Sequence, residues 1–112
     1  MKAAVIIRTK NEAAWIARVL DAVGRQADID ADVVVVDNQS SDGTVEIAAR
    51  YPCRVVTIPD SEFTHGRALN LGVRETRGEL VAVLSGHCIP VNERWLLRLA
   101  SNFLNPSIAG VY

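Results

Sequence analysis

Short apolar runs rich in β-branched residues alternate along the chain with stretches whose apolar residues recur at helical spacing. Ala3-Ala4-Val5-Ile6-Ile7 reads as a buried strand. From Glu12 to Gly24 the apolar positions Ile16, Val19, Leu20 and Val23 predict a helix, with Thr9-Lys10-Asn11-Glu12 in the form of a capping box at its start and Gly24 suited to its end. Val33-Val34-Val35-Val36 is continuous rather than alternating, the pattern of a strand covered on both faces. The polar turn Asp37 to Gly43 leads into a helix from Thr44 to Arg50, which Pro52 closes. A third strand is expected over Arg54 to Ile58, a helix over Arg67 to Thr76, and a fourth buried strand over Leu80 to Leu84. Asn92 is placed to cap a last helix with Leu96, Leu99, Ala100 and Phe103 on one face, and Ile108 to Tyr112 has the character of a strand just begun.

Strand and helix in strict alternation imply an α/β fold of three layers, α/β/α, around a mainly parallel sheet. In such sheets ligands sit beyond the carboxyl ends of the strands. Three polar clusters fall there: Thr9 to Glu12, Asp37 to Asp42, and Ser85 to Cys88. Residues 1–112 are expected to form one part of a larger domain.

Charge and composition narrow the function by exclusion. A net charge of −1 gives no electrostatic basis for binding nucleic acid, and the few scattered aromatics form no base-stacking platform. Two cysteines, Cys53 and Cys88, have neither zinc-ribbon nor CxxC spacing. The apolar run at the N-terminus is cut short by Arg8, and no stretch is long enough to span a bilayer. A cytoplasmic location is expected, with peripheral attachment to a membrane left open for the full-length protein. There is no GxGxxG after the first strand and no Walker lysine loop.

Several segments carry a specific resemblance. Ile6-Ile7-Arg8-Thr9-Lys10-Asn11-Glu12, Val35-Val36-Asp37-Asn38-Gln39-Ser40-Ser41-Asp42-Gly43-Thr44, Gly66-Arg67-Ala68-Leu69-Asn70-Leu71-Gly72 with Arg77-Gly78-Glu79, and Leu84-Ser85-Gly86-His87-Cys88-Ile89-Pro90 follow one another in order. Together they resemble the nucleotide-sugar-binding half of glycosyltransferase family 2, inverting enzymes with a GT-A, Rossmann-like fold. Phe63-Thr64-His65-Gly66 resembles a run found in rhamnosyltransferase-like members. The resemblance implies transfer of a sugar from a UDP-, dTDP- or GDP-linked donor to a hydroxyl of a glycan or lipid-linked acceptor, in polysaccharide or glycoconjugate synthesis. It also implies inversion at the anomeric carbon, assisted by a carboxylate base beyond Tyr112. No catalytic base is assigned within residues 1–112.

The same resemblance assigns candidate residues, and each has a plainer reading beside it. Asp37 would accept a hydrogen bond from the donor's base; a turn aspartate satisfying local amides has the same spacing. Thr9 and Glu12 would line the nucleoside, although a capping box also explains both. Asp42 reads as a helix cap. Arg67 would clamp the diphosphate with its planar fork of donors, or stand in solvent. His65 would touch phosphate or sugar, or bond to loop backbone. Asn70 would brace the loop backbone, while Gly66 and Gly72 mark close approaches.

Ser85-Gly86-His87 departs from the family pattern. The resemblance places it where two aspartates hold a divalent ion, and neither aspartate is present. Ser85 and Gly86 remain donor-site candidates. His87 stands at the second aspartate's position as a metal ligand, favouring Mn²⁺ over Mg²⁺, or as a cation in its own right, or as a structural residue. Cys88 reads as a small buried side chain. A pseudo-glycosyltransferase binding module and, more remotely, a nucleotidyltransferase remain as alternatives.

Overall fold

A computed structural model describes residues 2–112. β1 (Lys2–Thr9), β2 (Asp30–Asp37), β3 (Arg54–Thr57) and β4 (Leu80–Ser85) form one sheet in the order β3-β2-β1-β4, with every pair parallel. The helices are α1 (Ile16–Gly24), α2 (Thr44–Ala48), α3 (His65–Arg74) and α4 (Trp95–Ser101).

The pleat sorts β1 cleanly into two faces. Ala3, Val5 and Ile7 pack with Ile16, Val19, Leu20 and Val23 of α1, Ala48 of α2 and Leu96 of α4. Ile6 points the other way, with Val34, Val36, Ile58 and Ala68 of α3. The expected three layers follow, with α3 alone on its face. Close approach of α3 depends on Gly72, where a Cβ would lie 2.6 Å from Ile6 Cγ2. Gly66, by contrast, meets nothing within 4 Å and serves no close packing.

The chain winds outward from β1 through β2 to β3, then crosses by α3 to β4 on the opposite side of β1. The reversal creates a crevice at the carboxyl ends of β1 and β4, the position at which open α/β sheets bind ligands.

Three expectations need correction. No capping box starts α1: regular helix begins at Ile16, and Trp15 caps it without a side-chain bond. Thr9 is still the last residue of β1, and Asn11 is left-handed at φ 53°, so the chain is turning where the box would form. Asn92 does not cap α4, because its Oδ1 accepts from the Arg94 amide in a turn ahead of the helix. Residues 108–112 form no strand; no ladder partner is present among the described residues, and a strand requires one.

β4 is an edge strand whose α3-side face is bare, with Val81 44 % and Val83 45 % exposed. An apolar groove of about 470 Å³ runs along it beside α4 and residues 109–112. The opposite edge, β3, is short and carries Arg54 paired to Asp32 at 2.8 Å. Bare apolar edges recruit other edges. The polypeptide of residues 1–112 is therefore expected to self-associate through β4, and Val83→Lys to shift it toward monomer. Sedimentation velocity across a concentration series checks this; an unchanged distribution in the variant would exonerate this edge.

Candidate functional site

The centre of the carboxyl edge is Asp37, the last residue of β2, only 1 % exposed. Its Oδ1 accepts from Thr9 Oγ1 and from Ser40 Oγ, both at 2.6 Å, and its Oδ2 accepts from the Ser40 amide at 2.8 Å. A carboxylate offers about four lone-pair sites, so one on Oδ2 stays free of these bonds. Thr9 and Asp37 are register partners in the sheet and share a face, which is why the threonine hydroxyl reaches the carboxylate.

The loops that follow β1 and β2 are bonded to each other along their length. The Asn11 amide donates to Ser40 Oγ at 2.7 Å, and Asn11 Oδ1 accepts from the Ser41 amide at 2.8 Å. Lys10 Nζ donates to the carbonyls of Asn38 and Gln39. The Glu12 amide donates to Thr44 Oγ1 at 2.9 Å and the Ala13 amide to Asp42 Oδ2 at 3.0 Å. The amides ahead of α1 are thus capped from the other loop. Asp42 is not the cap of α2: Gly43 holds that position without a side-chain bond, and Asp42 Oδ1 accepts from the Thr44 amide in a turn ahead of the helix. Bonding from the Thr44 hydroxyl, then from backbone amides, holds the Asp42 carboxyl below its usual value.

Glu12 is thereby free to point elsewhere. Its Oε1 lies 3.0 Å from His87 Nδ1, across the crevice between β1 and β4. The Gly86 amide donates to the Arg8 carbonyl at 2.9 Å, which seats the Ser85–His87 turn beside the loop after β1. A Cβ at Gly86 would lie 2.8 Å from Glu12 Cγ and 3.0 Å from Thr9 Cγ2. Cys88 is exposed, not buried, because the turn carries it outward.

On the α3 face, Arg8 Nη1 contacts His65 Nδ1 at the start of α3, while Thr64 Oγ1 caps that helix through the Arg67 amide. Guanidinium has no acceptor, so it donates and the imidazole Nδ1 accepts. Arg8 Nε and Asn38 Oδ1 are buried without a partner among the described residues. Sequence reasoning overlooked Arg8, although a charged residue ending an otherwise apolar strand was the available signal.

Thr9, Glu12, Asp37, Ser85, Gly86 and His87 therefore converge, with His65 reached through Arg8. Arg67 is not brought to the cluster. Two residues beyond His65 on the helix, it points about 200° away, and its Nη1 approaches the Glu62 carbonyl at 3.5 Å. Asn70 does not brace a loop: it is exposed, and its carbonyl, not its side chain, accepts from Arg74 Nε.

Residues 4–112 match the family profile of Glycosyl transferase family 2. The chain belongs to that family. It is 37 % identical to glycosyltransferase AglE of Haloferax volcanii over 84 % of its own length and 33 % of that protein's. With the O-antigen chain rhamnosyltransferase RfbN of Salmonella typhimurium it shares 30 % identity over 99 % of its length and 36 % of the relative's. The chain thus spans about a third of these curated relatives.

Among solved structures, the Pyrobaculum calidifontis mannosyltransferase bound to GDP-Man and Mn²⁺ superposes with a TM-score of 0.83 at 26 % identity, over 95 % of this chain and 33 % of that one. Glucosyl-3-phosphoglycerate synthase of Mycobacterium tuberculosis, in complex with Mn²⁺, UDP and glucosyl-3-phosphoglycerate, gives 0.78 at 25 % identity, over 93 % of this family 2 chain and 40 % of that one. The GT-A-type α/β fold is shared with both.

Two outcomes follow from the bonding of the loops. Asp37→Ala leaves the Thr9 hydroxyl and the Ser40 amide without their acceptor and should destabilise the fold by about 3 kcal/mol; urea unfolding measures it, and a change below about 1 kcal/mol would contradict the network. Asp42, with its folded value depressed, contributes stability that is complete above its ordinary value of 3.8 and lost as pH falls through the lower folded one. The stability gap between the parent and Asp42→Asn should accordingly narrow on acidification below the ordinary value, as read by urea unfolding at successive pH values.

Proposed function

We propose that this chain binds the nucleoside diphosphate of a sugar donor at the carboxyl edge of β1, β2 and β4, as the donor half of a glycosyltransferase. The observation that carries the reading is the convergence of Thr9, Glu12, Asp37 and the Ser85–His87 turn at the topological crossover of a sheet belonging to glycosyl transferase family 2. Relatives that act in O-antigen synthesis, and neighbours bound to GDP-Man or UDP, support a nucleotide sugar as the ligand class.

In this reading Asp37 accepts the imide or amide N–H of the base on its remaining Oδ2 lone pair, a charge-assisted bond held in place by Thr9 and Ser40. Thr9 and Glu12 bound the nucleoside side, while Ser85, Gly86 and His65 bound the diphosphate and sugar side. The unpartnered Arg8 Nε is a further donor near that side. Sugar is transferred with inversion to a hydroxyl of a glycan or lipid-linked acceptor. The base that takes the hydroxyl proton is assigned to none of residues 1–112.

A divalent ion fits the chemistry of the turn at one point. The His87 side chain is 57 % exposed, and imidazole suits manganese better than magnesium. Such an ion, when bound, neutralises charge on the departing diphosphate. The absence of both aspartates from Ser85-Gly86-His87 favours a second reading, a donor-binding module that has lost transfer.

Titration calorimetry with UDP, dTDP and GDP tests the primary reading. At least one should bind, and Asp37→Asn, in samples shown to remain folded, should weaken it by about 1.5–3 kcal/mol. Equal affinity of the parent and the folded variant for all three would sink the base contact. Transfer assays on the full-length protein separate the enzyme from the binding module.

A further inference from the structure

We infer that Arg8 is a positioning residue that acts through His65: it holds the imidazole by Nδ1, so that the ring offers a polarised Nε2–H to an oxygen of the donor's diphosphate. The inference deepens the donor-site reading above and rests on it for the identity of the anion.

Arg8 is placed by the sheet. It follows Ile6 by two residues on β1, so it shares the face that α3 covers, and it pairs in register with Ser85 of β4. The residue is half-buried, and its Nε is buried without a partner. Among the described residues no carboxylate pairs with it. It also stands beside the first residue of α3, a helix of 10 residues whose dipole is positive at that end. A partly desolvated cation at a positive helix end is unfavourable unless an anion joins it. This uncompensated charge, not the His65 contact, is what calls for a ligand, and for an anionic one.

His65 is the group that bonds to that charge. Guanidinium has no acceptor, so Arg8 Nη1 donates and Nδ1 of the ring accepts. The ring proton is then on Nε2, which projects away from Arg8 because the two ring nitrogens point in well-separated directions. The residue is exposed, and a Cβ on the neighbouring Gly66 would meet nothing within 4 Å, so the space beside it is open. Two further contacts limit the ring's freedom. Phe63 meets it edge-on, with centroids 5.4 Å apart and planes at 71°. Thr64 caps α3 by accepting from the Arg67 amide at 3.0 Å, which fixes the backbone that carries His65.

Hydrogen bonds in a chain polarise one another. A cation donating to Nδ1 draws electron density from the ring and makes Nε2–H a stronger donor. A neutral ring oriented in this way suits a phosphate oxygen, which accepts and does not donate. Arg8 thereby acts on the anion at one remove, without touching it.

The test is a double-mutant cycle on the affinity for UDP and GDP, read by titration calorimetry on variants that thermal unfolding shows to be folded. Arg8→Met and His65→Ala should each weaken the diphosphate about tenfold, and the double variant no more than either alone. Arg8→Lys, which keeps a cationic donor, should retain most of the parent's affinity. Uridine and guanosine, which lack phosphate, should be indifferent to all of these changes. Losses that add in the double variant, or that appear equally with the nucleosides, overturn the inference. So does a loss seen only with sugar-bearing donors, which moves the contact to the sugar. Nitrogen NMR of the His65 ring in the parent protein tests the arrangement without any variant: Nε2 should carry the proton and Nδ1 should accept. A ring protonated on Nδ1 instead overturns the inference. Nucleotide bound equally by the parent and His65→Ala defeats it and leaves the donor site standing. Absence of binding by UDP, dTDP and GDP, with Nδ1 still an acceptor, defeats the donor site and leaves the ring arrangement standing.

Discussion

The edge of this fold is organised by one desolvated carboxylate. Asp37 is 1 % exposed, and a buried charge without partners costs several kcal/mol. Its three partner groups come from two residues: the hydroxyl of Thr9, the last residue of β1, and the hydroxyl and amide of Ser40. Ser40 Oγ in turn accepts from the Asn11 amide, so the order extends into the loop after β1. With Asp37 satisfied, the loops after β1 and β2 behave as one bonded unit. Left-handed backbone at Asn11 and Gln39, φ 53° and 48°, is held in place by bonds from the Ser41 amide to Asn11 Oδ1 and from the Asp60 amide to Gln39 Oε1. Strain of this kind persists only where the surroundings over-determine it.

A second consequence concerns the helix starts. The amides of Glu12 and Ala13 are satisfied by Thr44 and Asp42, 32 and 29 residues later in the chain, and Asp42 also accepts from the Thr44 amide. A local capping box would have fixed Thr9 and Glu12 to each other and closed the crevice to them. Non-local capping instead releases Thr9 to Asp37 and Glu12 to His87. The crevice therefore owes its chemistry to the packing of two loops rather than to either loop alone.

The difference between what the chain announces and what it conceals follows from this. Uninterrupted β-branched runs are visible directly, so β1, β2 and β4, and the positions of the polar clusters at their ends, were legible; the burial expected of β4 was not met, because it is an edge strand that leaves Val81 and Val83 exposed. Family motifs pointed to the same ends. The direction of each side chain was not legible. His65 and Arg67 are neighbours in one motif, yet the helical turn sends one to Arg8 and the other to Glu62. Cys88 looked apolar and small but sits on the outward arm of a turn. The pairing of Glu12 with His87 spans β1 and β4, and no local pattern encodes which strands lie side by side. The strand expected at residues 108–112 had the right residue types and no partner, which is a property of the sheet and not of the segment.

Electrostatics give the altered turn a consistent sense. In the proposed reading a nucleoside diphosphate would add its negative charges to a crevice already holding Asp37 and Glu12. Two aspartates at residues 85 and 87 would add two more, and such a site cannot accept a diphosphate without a strongly bound cation between them. With serine and histidine there, the guanidinium of Arg8 and the ammonium of Lys10 are the cations beside the fixed acids. Lys10 and Arg8 are nevertheless engaged by backbone carbonyls and by His65, so neither is a free counter-charge. Glu12 faces His87 at the same edge, a carboxylate meeting an imidazole rather than a hydroxyl or an amide.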